Sequence, residues 1–249
     1  MTVQTLDERR DFIIPGHAQE TLAFCAAHLF HAYEQAVQSK GFFAIALSGG
    51  STPRALFQLL TSSPYKQRFS WDKIHLFWGD ERNVPPDHTD SNYLMAMQAG
   101  FAHVGISQEH IHRMIAETDI EAHAKTYEEL IQQELGNAGF DYICLGMGED
   151  GHTASLFPGT KALQITDRLV VANHVPQKNT DRMTLTYPCI HQAKQVVLYV
   201  LGSAKQDMVR EIFVERKGQY PVEKIGTKEH KALWIMDLDA SALLPSKKT

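Results

Sequence analysis

The hydrophobic positions of the chain follow two rhythms that alternate along most of its length. From His17 to Lys40 the apolar residues Leu22, Ala26, Leu29, Phe30, Tyr33 and Val37 recur at helical spacing, which marks one face of a helix. Phe42–Leu47 (FFAIAL) is instead a short continuous apolar run ending in Ser48-Gly49-Gly50, the pattern of a strand buried on both faces. Thr52 is then placed to cap, and Pro53 to open, a helix PRALFQLL. A threonine side chain can accept an orphan N–H, and proline lacks the N–H that a first helical turn leaves unused. The alternation continues with a strand over Ile74–Gly79 (IHLFWG), a loop at Pro85-Pro86 and a helical NYLMAMQAGF. A helix over about Glu121–Leu135 follows, with Tyr127, Leu130, Ile131 and Leu135 on one face. Phe140–Gly146 (FDYICLG) is the next buried strand, and RLVVANHV, RMTLT and Gln195–Gly202 (QVVLYVLG) come after it. A helix from Ser203, the strand Leu233–Leu238 (LWIMDL) and a short final helix complete the chain.

Buried strands separated by helices predict an α/β fold, a Rossmann-like parallel sheet flanked by helices on both faces. Ligands of such sheets bind beyond the carboxyl ends of the strands. Four strands here run into polar or glycine-rich loops: SGGSTP, GDERNV, GMGEDGH and GSAK. No repeat, low-complexity tract or interior linker interrupts residues 1–249, which are expected to form a single domain. Glu215–Lys231 is charged and broken by Gly218, Pro221 and Gly226, which predicts a solvated connection.

Composition adjusts this picture only slightly. A chain of 249 residues, 43% hydrophobic and 21% charged, removes roughly 70–75% of its unfolded surface from water and needs no disulfide or metal for stability. A net charge of −5 argues against nucleic acid as the partner and leaves room for a small anion in a local basic pocket. Cys25, Cys144 and Cys189 are few, odd in number and widely spaced, as expected of reduced buried thiols in the cytoplasm. Neither a signal peptide nor a run of ~18 apolar residues is present, so no membrane is expected. Oligomeric state is not legible, and a monomer is the working expectation.

Gly146–Gly151 (GMGEDG) fits the dinucleotide fingerprint G-x-G-x-x-G. A cofactor turn would open a long helix and be followed by an acid at the tip of the next strand. Pro158-Gly159 stops any helix early, and RLVVANHV has no such acid. Behind the glycines, Asp150 and His152 share one tight loop. There a carboxylate can hold one imidazole nitrogen and leave the other free to take a proton from water; alternatively, Asp150 merely caps the turn. Ser48, Gly49, Gly50, Ser51 and Thr52 lead into a helix N-terminus and can form an anion nest, or simply a tight turn. Arg182 and Lys205 are candidate positive charges for that anion. Asp80, Glu81 and Arg82 place three charges at a strand end, where they must pair or bind something. His110 and His112 lack an evident third metal ligand and are expected to be solvated loop histidines, while Met95 and Met97 look like packing.

Together, ALSGGSTPRALFQLL, HLFWGDERNVPPDHTDSNY, LGMGEDGHTASLFPG, DRMTLTYP and LGSAKQDMV resemble, in order, the motifs of the 6-phosphogluconolactonase family, and LWIMDLDASALL is similar too. The resemblance implies hydrolysis of 6-phosphoglucono-δ-lactone in the oxidative pentose phosphate pathway, with no cofactor and no metal. It implies a fold shared with glucosamine-6-phosphate deaminases and with sugar-phosphate sensor domains. It casts His152, Asp150 and Arg82 as catalytic, with Arg82 either stabilising an oxyanion or holding phosphate. Ser48–Thr52, Asp80, Arg182 and Lys205 become the substrate-binding set. The deaminases resemble this chain but carry a catalytic glutamate where Phe157 stands, and an acidic D-E-Y-type motif where this chain has Asp80-Glu81-Arg82. Sensor proteins carry a DNA-binding helix pair ahead of the domain, and about 16 residues before the first helix are too few for one.

Overall fold

The structure, a computed structural model, describes residues 2–245. In chain order its regular elements are β1 (Gln4–Thr5), β2 (Arg10–Ile13), α1 (Ala18–Lys40), β3 (Phe43–Leu47), α2 (Ser51–Leu60), β4 (Ile74–Trp78), β5 (Asp80–Arg82) and α3 (Asn92–Gln98). They continue with α4 (Ile120–Leu135), β6 (Tyr142–Leu145), β7 (Val170–Val175), β8 (Thr180–Leu185), α5 (Tyr187–His191), β9 (Val196–Val200), α6 (Gln206–Arg210) and β10 (Ala232–Met236). Short 3₁₀ turns occupy many of the connections. The expected final helix is absent among the described residues: 238–243 form turns instead.

Seven strands form one sheet in the order β1-β2-β10-β9-β6-β3-β4, parallel throughout except for the β1–β2 pair. Every residue of β3, β6 and β9 is buried, which is why these strands read as continuous apolar runs: helices cover both faces and neither is left for water. Trp78, Trp234, Tyr142, Phe43, Phe57 and Phe77 are the largest of the fully buried side chains. Burying such a side chain contributes roughly 1.5–3 kcal/mol.

The α/β expectation therefore holds, with one addition. RLVVANHV and RMTLT do not extend the parallel sheet; β5, β8 and β7 form a separate three-stranded antiparallel sheet. Only residues 176–179 join β7 to β8, a link too short for the crossover that parallel strands require. Gly79 is the hinge between the sheets. Its N–H donates to the Leu47 carbonyl at 2.8 Å in the large sheet, while its own carbonyl accepts from Leu185 N–H at 2.9 Å in the small one.

Chain order locates the crevice. From β3 the chain steps to β4 on one side, then returns to place β6, β9 and β10 on the other. The loops after β3 and β6 thus part in opposite directions at the carboxyl end of the sheet, where open α/β sheets bind their ligands.

Candidate active site

A cavity of about 230 Å³ opens at this switch point, lined by Ser48, Gly49 and Gly50 from one loop and by Gly146, Gly148 and His152 from the other. Asp80, Arg82 and Lys205 complete its polar wall. A neighbouring cavity of about 550 Å³ contains Arg182 and Lys178, and His152 and Arg82 line both. Ser48, Gly49, Gly50, Asp80, Arg82, His152, Arg182 and Lys205 are thereby brought to two adjoining cavities from five separate loops and strands, whereas Ser51, Thr52 and Asp150 line neither. Lys205 lies on the nest side and Arg182 on the far side of His152 and Arg82.

In the loop after β6, His152 Nδ1 meets Asp150 Oδ1 at 2.5 Å, and the same oxygen accepts the His152 backbone N–H at 3.2 Å. The carboxylate fixes the tautomer with a proton on Nδ1, so Nε2 keeps its lone pair on the cleft side. Burial raises the Asp150 carboxyl, but the hydrogen bond and charge of His152 outweigh it and hold the group below the usual carboxylate range. The imidazole stacks on Phe157, with ring centroids 3.9 Å apart and planes at 17°. Gly148 is required beside the Nδ1–Cε1 edge of the ring, because a Cβ there would run into it. The fingerprint's second glycine thus makes room for the imidazole.

Several contacts hold this loop. Thr153 Oγ donates to Gly146 O at 2.8 Å, and Asn173 Nδ2 donates to Ser155 O at 2.8 Å. Ala154 has a positive φ of 47°, a conformation that disfavours alanine by about 1–2 kcal/mol, and it lines the smaller cavity. Tyr220 packs against Gly151, where φ is +72° and a Cβ would collide with the tyrosine ring. Val222 N–H also donates to Gly151 O at 3.0 Å. The Glu215–Lys231 segment is solvated only in part: residues 215–219 and 228–230 are exposed, but Pro221, Val222, Glu223 and Ile225 are buried, and this middle stretch braces the loop after β6.

β5 divides the three adjacent charges. Successive residues of a strand face opposite ways, so Asp80 and Arg82 face the cleft side with Arg182 and Thr184, their partners on β8. Glu81 faces α3. Only 3% exposed, it accepts hydrogen bonds from Arg82 N, Asn92 N, Tyr93 N and Ser91 Oγ at 2.8–3.1 Å, serving as an anchor for the helix N-terminus. Burial pushes its carboxyl up, against the effect of those hydrogen bonds. Asp80 is held by Ser155 Oγ at 2.6 Å and Asn92 Nδ2 at 3.3 Å.

Arg82 and Arg182 stand directly opposite each other in the antiparallel pair, an arrangement that like charges oppose. Their Nε atoms are buried without hydrogen-bond partners, and Arg82 Nη1 donates only to Asp90 O, at 2.7 Å. Burial, and then the Arg82 charge, lower the pKa of Arg182. Two guanidinium groups held together with unspent donors make a site for an anion.

The Ser48–Gly50 turn runs straight into a helix as expected, but Thr52 does not cap it. α2 starts at Ser51, its N-cap Gly50 has φ 104°, and no side chain caps it. The first N–H groups of a ten-residue helix therefore lack a side-chain cap next to Gly50, which lines the cavity, and carry the favourable end of the helix dipole. Gly49 is needed here because a Cβ would overlap the Asn92 amide. The loop bearing Lys205 is fixed by Asp237, which is fully buried and accepts Gly202 N–H at 3.0 Å. Sequence reasoning missed Asn92, Ser155, Asn173, Tyr220 and Asp237 because their roles rest on contacts distant in sequence. Met95 packs as expected, buried, and the partly buried Met97 packs against the core. His110 and His112, expected to be solvated, are half-buried instead, with ring nitrogens shut off from water.

Among the described residues no helix is long and apolar enough to cross a membrane. Residues 16–234 match the family model described as glucosamine-6-phosphate isomerases/6-phosphogluconolactonase. The chain is 42% identical over 205 residues to a 6-phosphogluconolactonase of Chlamydia pneumoniae, covering 81% of this chain and 78% of that protein. It is 38% identical over 242 residues to the one from Chlamydia muridarum, covering 96% and 92%. The solved structure of 6-phosphogluconolactonase from Trypanosoma cruzi superimposes with a TM-score of 0.84 at 26% identity, covering 99% of this chain and all of that one.

Proposed function

The chain belongs to the glucosamine-6-phosphate isomerase/6-phosphogluconolactonase family, and from that premise we propose that it hydrolyses 6-phosphoglucono-δ-lactone to 6-phosphogluconate, the lactonase step of the oxidative pentose phosphate pathway. The observation that carries the reading is the Asp150–His152 pair at 2.5 Å, with the second imidazole nitrogen turned to a cleft lined by a backbone nest and unpaired cations.

His152, oriented by Asp150, removes a proton from water as the oxygen attacks the lactone carbonyl. Arg82, which borders both cavities, stabilises the tetrahedral oxyanion. The ring oxygen then leaves, taking the proton from His152. A positioned base supplies ~10²–10⁴ in rate and one oxyanion donor ~10²–10³, enough for a cyclic ester that already hydrolyses unaided. The nest at Ser48–Thr52 and Lys205 reach the 6-phosphate from the smaller cavity and Arg182 reaches it from the adjoining one, and Asp80 accepts from a sugar hydroxyl. Phe157 supplies a flat apolar plate under the imidazole where the deaminase pattern calls for a glutamate, which leaves amine chemistry without its acid. All these groups come from one chain, so a monomer suffices, and the cytoplasm is its proposed address.

The test adds purified protein to freshly generated 6-phosphogluconolactone and follows acid release against the spontaneous rate, with EDTA in a parallel sample. Acceleration that survives EDTA supports the proposal. No acceleration over the blank removes the activity, loss with EDTA removes the metal-independent mechanism, and ammonia release from glucosamine 6-phosphate would move the chain to the deaminase branch.

A further inference from the structure

A second chemical constellation lies at the edge of the large sheet, at the end of β4 away from the cleft. His75 is the second residue of β4, the edge strand. The segment at 110–112 runs beside it, with Ile111 bridged to Leu76 and His112 N–H donating to Leu76 O at 2.8 Å. Glu134 reaches in from the last turn of α4. One ligating atom from each of His75, His112 and Glu134 lies within 4.8 Å of the other two, and His75 Nδ1 stands 3.7 Å from Glu134 Oε2.

Three imidazole nitrogens here, His75 Nδ1, His110 Nδ1 and His112 Nε2, are buried without a hydrogen-bond partner. Single buried polar atoms of that kind are uncommon. Three in one cluster point to a ligand that accepts lone pairs. Glu134 does not satisfy His75 Nδ1: its nearest carboxylate oxygen is 3.7 Å away, beyond hydrogen-bond distance. The rings are braced, His75 against His110 with centroids 3.9 Å apart and His112 against Phe77 at 4.4 Å.

We propose that His75, His112 and Glu134 form a binding site for a divalent transition-metal ion, with Zn²⁺ the best match to the donors. Two imidazoles and one carboxylate are a borderline nitrogen–oxygen set, and three protein ligands with water in the fourth position are a standard tetrahedral zinc arrangement. Donors ~2.0–2.2 Å from zinc lie roughly 3.4 Å apart. The His75–Glu134 contact is already near that, and the remaining spread closes with an adjustment of about an ångström. The ligands come from β4, the 110–112 segment and α4, so a bound ion would tie the sheet edge to the helix that covers it and raise thermal stability by binding only the folded chain.

The experiment strips the protein with a chelator, removes the chelator, and titrates Zn²⁺ by calorimetry and Co²⁺ by visible absorption. The forms compared are the native chain, His112→Gln, Glu134→Gln and His152→Gln, the last to discount ion capture by the cleft imidazole. One equivalent should bind in the native and His152→Gln proteins, with tetrahedral cobalt bands and a zinc-dependent rise in Tm. Loss of an outer-shell partner already weakens metal sites 10–100-fold, so His112→Gln and Glu134→Gln should each lose at least about tenfold in affinity. Both should keep native lactonase turnover, being remote from the cleft. Should metal-free His112→Gln fail to fold by circular dichroism, the part-exposed Glu134→Gln decides alone. Absence of the equivalent in His152→Gln, or unchanged affinity in Glu134→Gln, overturns the proposal.

Discussion

Gly148→Ala tests what the glycines of the GMGEDG turn are for. The backbone at Gly148 does not have positive φ, so alanine introduces no backbone strain and the protein should fold. Its new Cβ, however, would overlap His152 Nδ1 and Cε1 and come within 2.8 Å of Asp150 Oδ1. Ordinary contacts of this kind stand at ~3.5–4.0 Å, so the imidazole must shift by an ångström or more. It has little space to do so, with Phe157 stacked 3.9 Å behind it. A misplacement of about 1 Å at a reacting group costs on the order of 10²-fold, which corresponds to ~2.7 kcal/mol of barrier. The groups proposed to hold the phosphate are untouched, so kcat should fall about 10²-fold with KM nearly unchanged. Gly146→Ala, in the same turn, is the control. Nothing but Ser48 Oγ, at 4.0 Å, comes near a Cβ there, so the imidazole stays in place and turnover should remain well above that of Gly148→Ala. The assay is acid release from fresh lactone, corrected for spontaneous hydrolysis, with a melting curve for each variant. A folded Gly148→Ala enzyme turning over within about threefold of native would refute this account of the turn.

The other expectations concern the groups themselves. His152→Ala should lower kcat by about 10²–10⁴ with little change in KM, as loss of a general base does, and Asp150→Asn should cost less because the imidazole remains; steady-state kinetics of the two decide the order. Arg182→Ala and Lys205→Ala should each raise KM about 10–100-fold, a charge-assisted bond being worth roughly 1.5–3 kcal/mol, while on unphosphorylated glucono-δ-lactone both should behave like the native enzyme; equal impairment on both lactones would place them at the carbonyl. Burial pushes the Cys144 thiol up to about 12 and those of Cys25 and Cys189 higher still. Since only the thiolate is nucleophilic, the native protein should resist iodoacetamide at pH 8 and the unfolded chain should take up three adducts by mass spectrometry. The Asp150 carboxyl titrates below its unfolded value, so its contribution to stability is present above about pH 4 and disappears as pH falls through the folded pKa. Asp150→Asn should therefore flatten the acid limb of a Tm-against-pH curve.

How much of this was legible before the fold was seen depends on the range of the contacts involved. The stripe in α1 and the unbroken apolar runs of β3, β6 and β9 announce themselves because burial there is set by one face, or by both. From these runs the sheet, its carboxyl-end loops and the Asp150–His152 pair, two residues apart, all follow. The antiparallel sheet was hidden for a different reason: β7 is only partly buried along its middle and β8 over its first half, so they resemble weaker copies of the core strands. The four residues between them were the available signal, since they permit nothing but a hairpin.

That missed hairpin also explains why the three charges after Trp78 could not be sorted. Once β5 is a strand paired with β8, alternation alone sends Asp80 and Arg82 to the cleft and Glu81 to the α3 N-terminus, and cross-strand pairing alone sets Arg182 opposite Arg82. No side-chain chemistry enters that assignment. The same step places the guanidinium groups of Arg82 and Arg182 beside His152, so the antiparallel sheet is what gives the cleft its positively charged wall. The parallel sheet supplies the other wall, the N–H groups of α2 and the Asp150–His152 loop. The site exists because Gly79 lets one strand leave the first sheet and begin the second, hydrogen-bonded to Leu47 on one side and Leu185 on the other. A cleft with a proton acceptor on one wall and fixed positive charge on the opposite one is a consequence of that divergence.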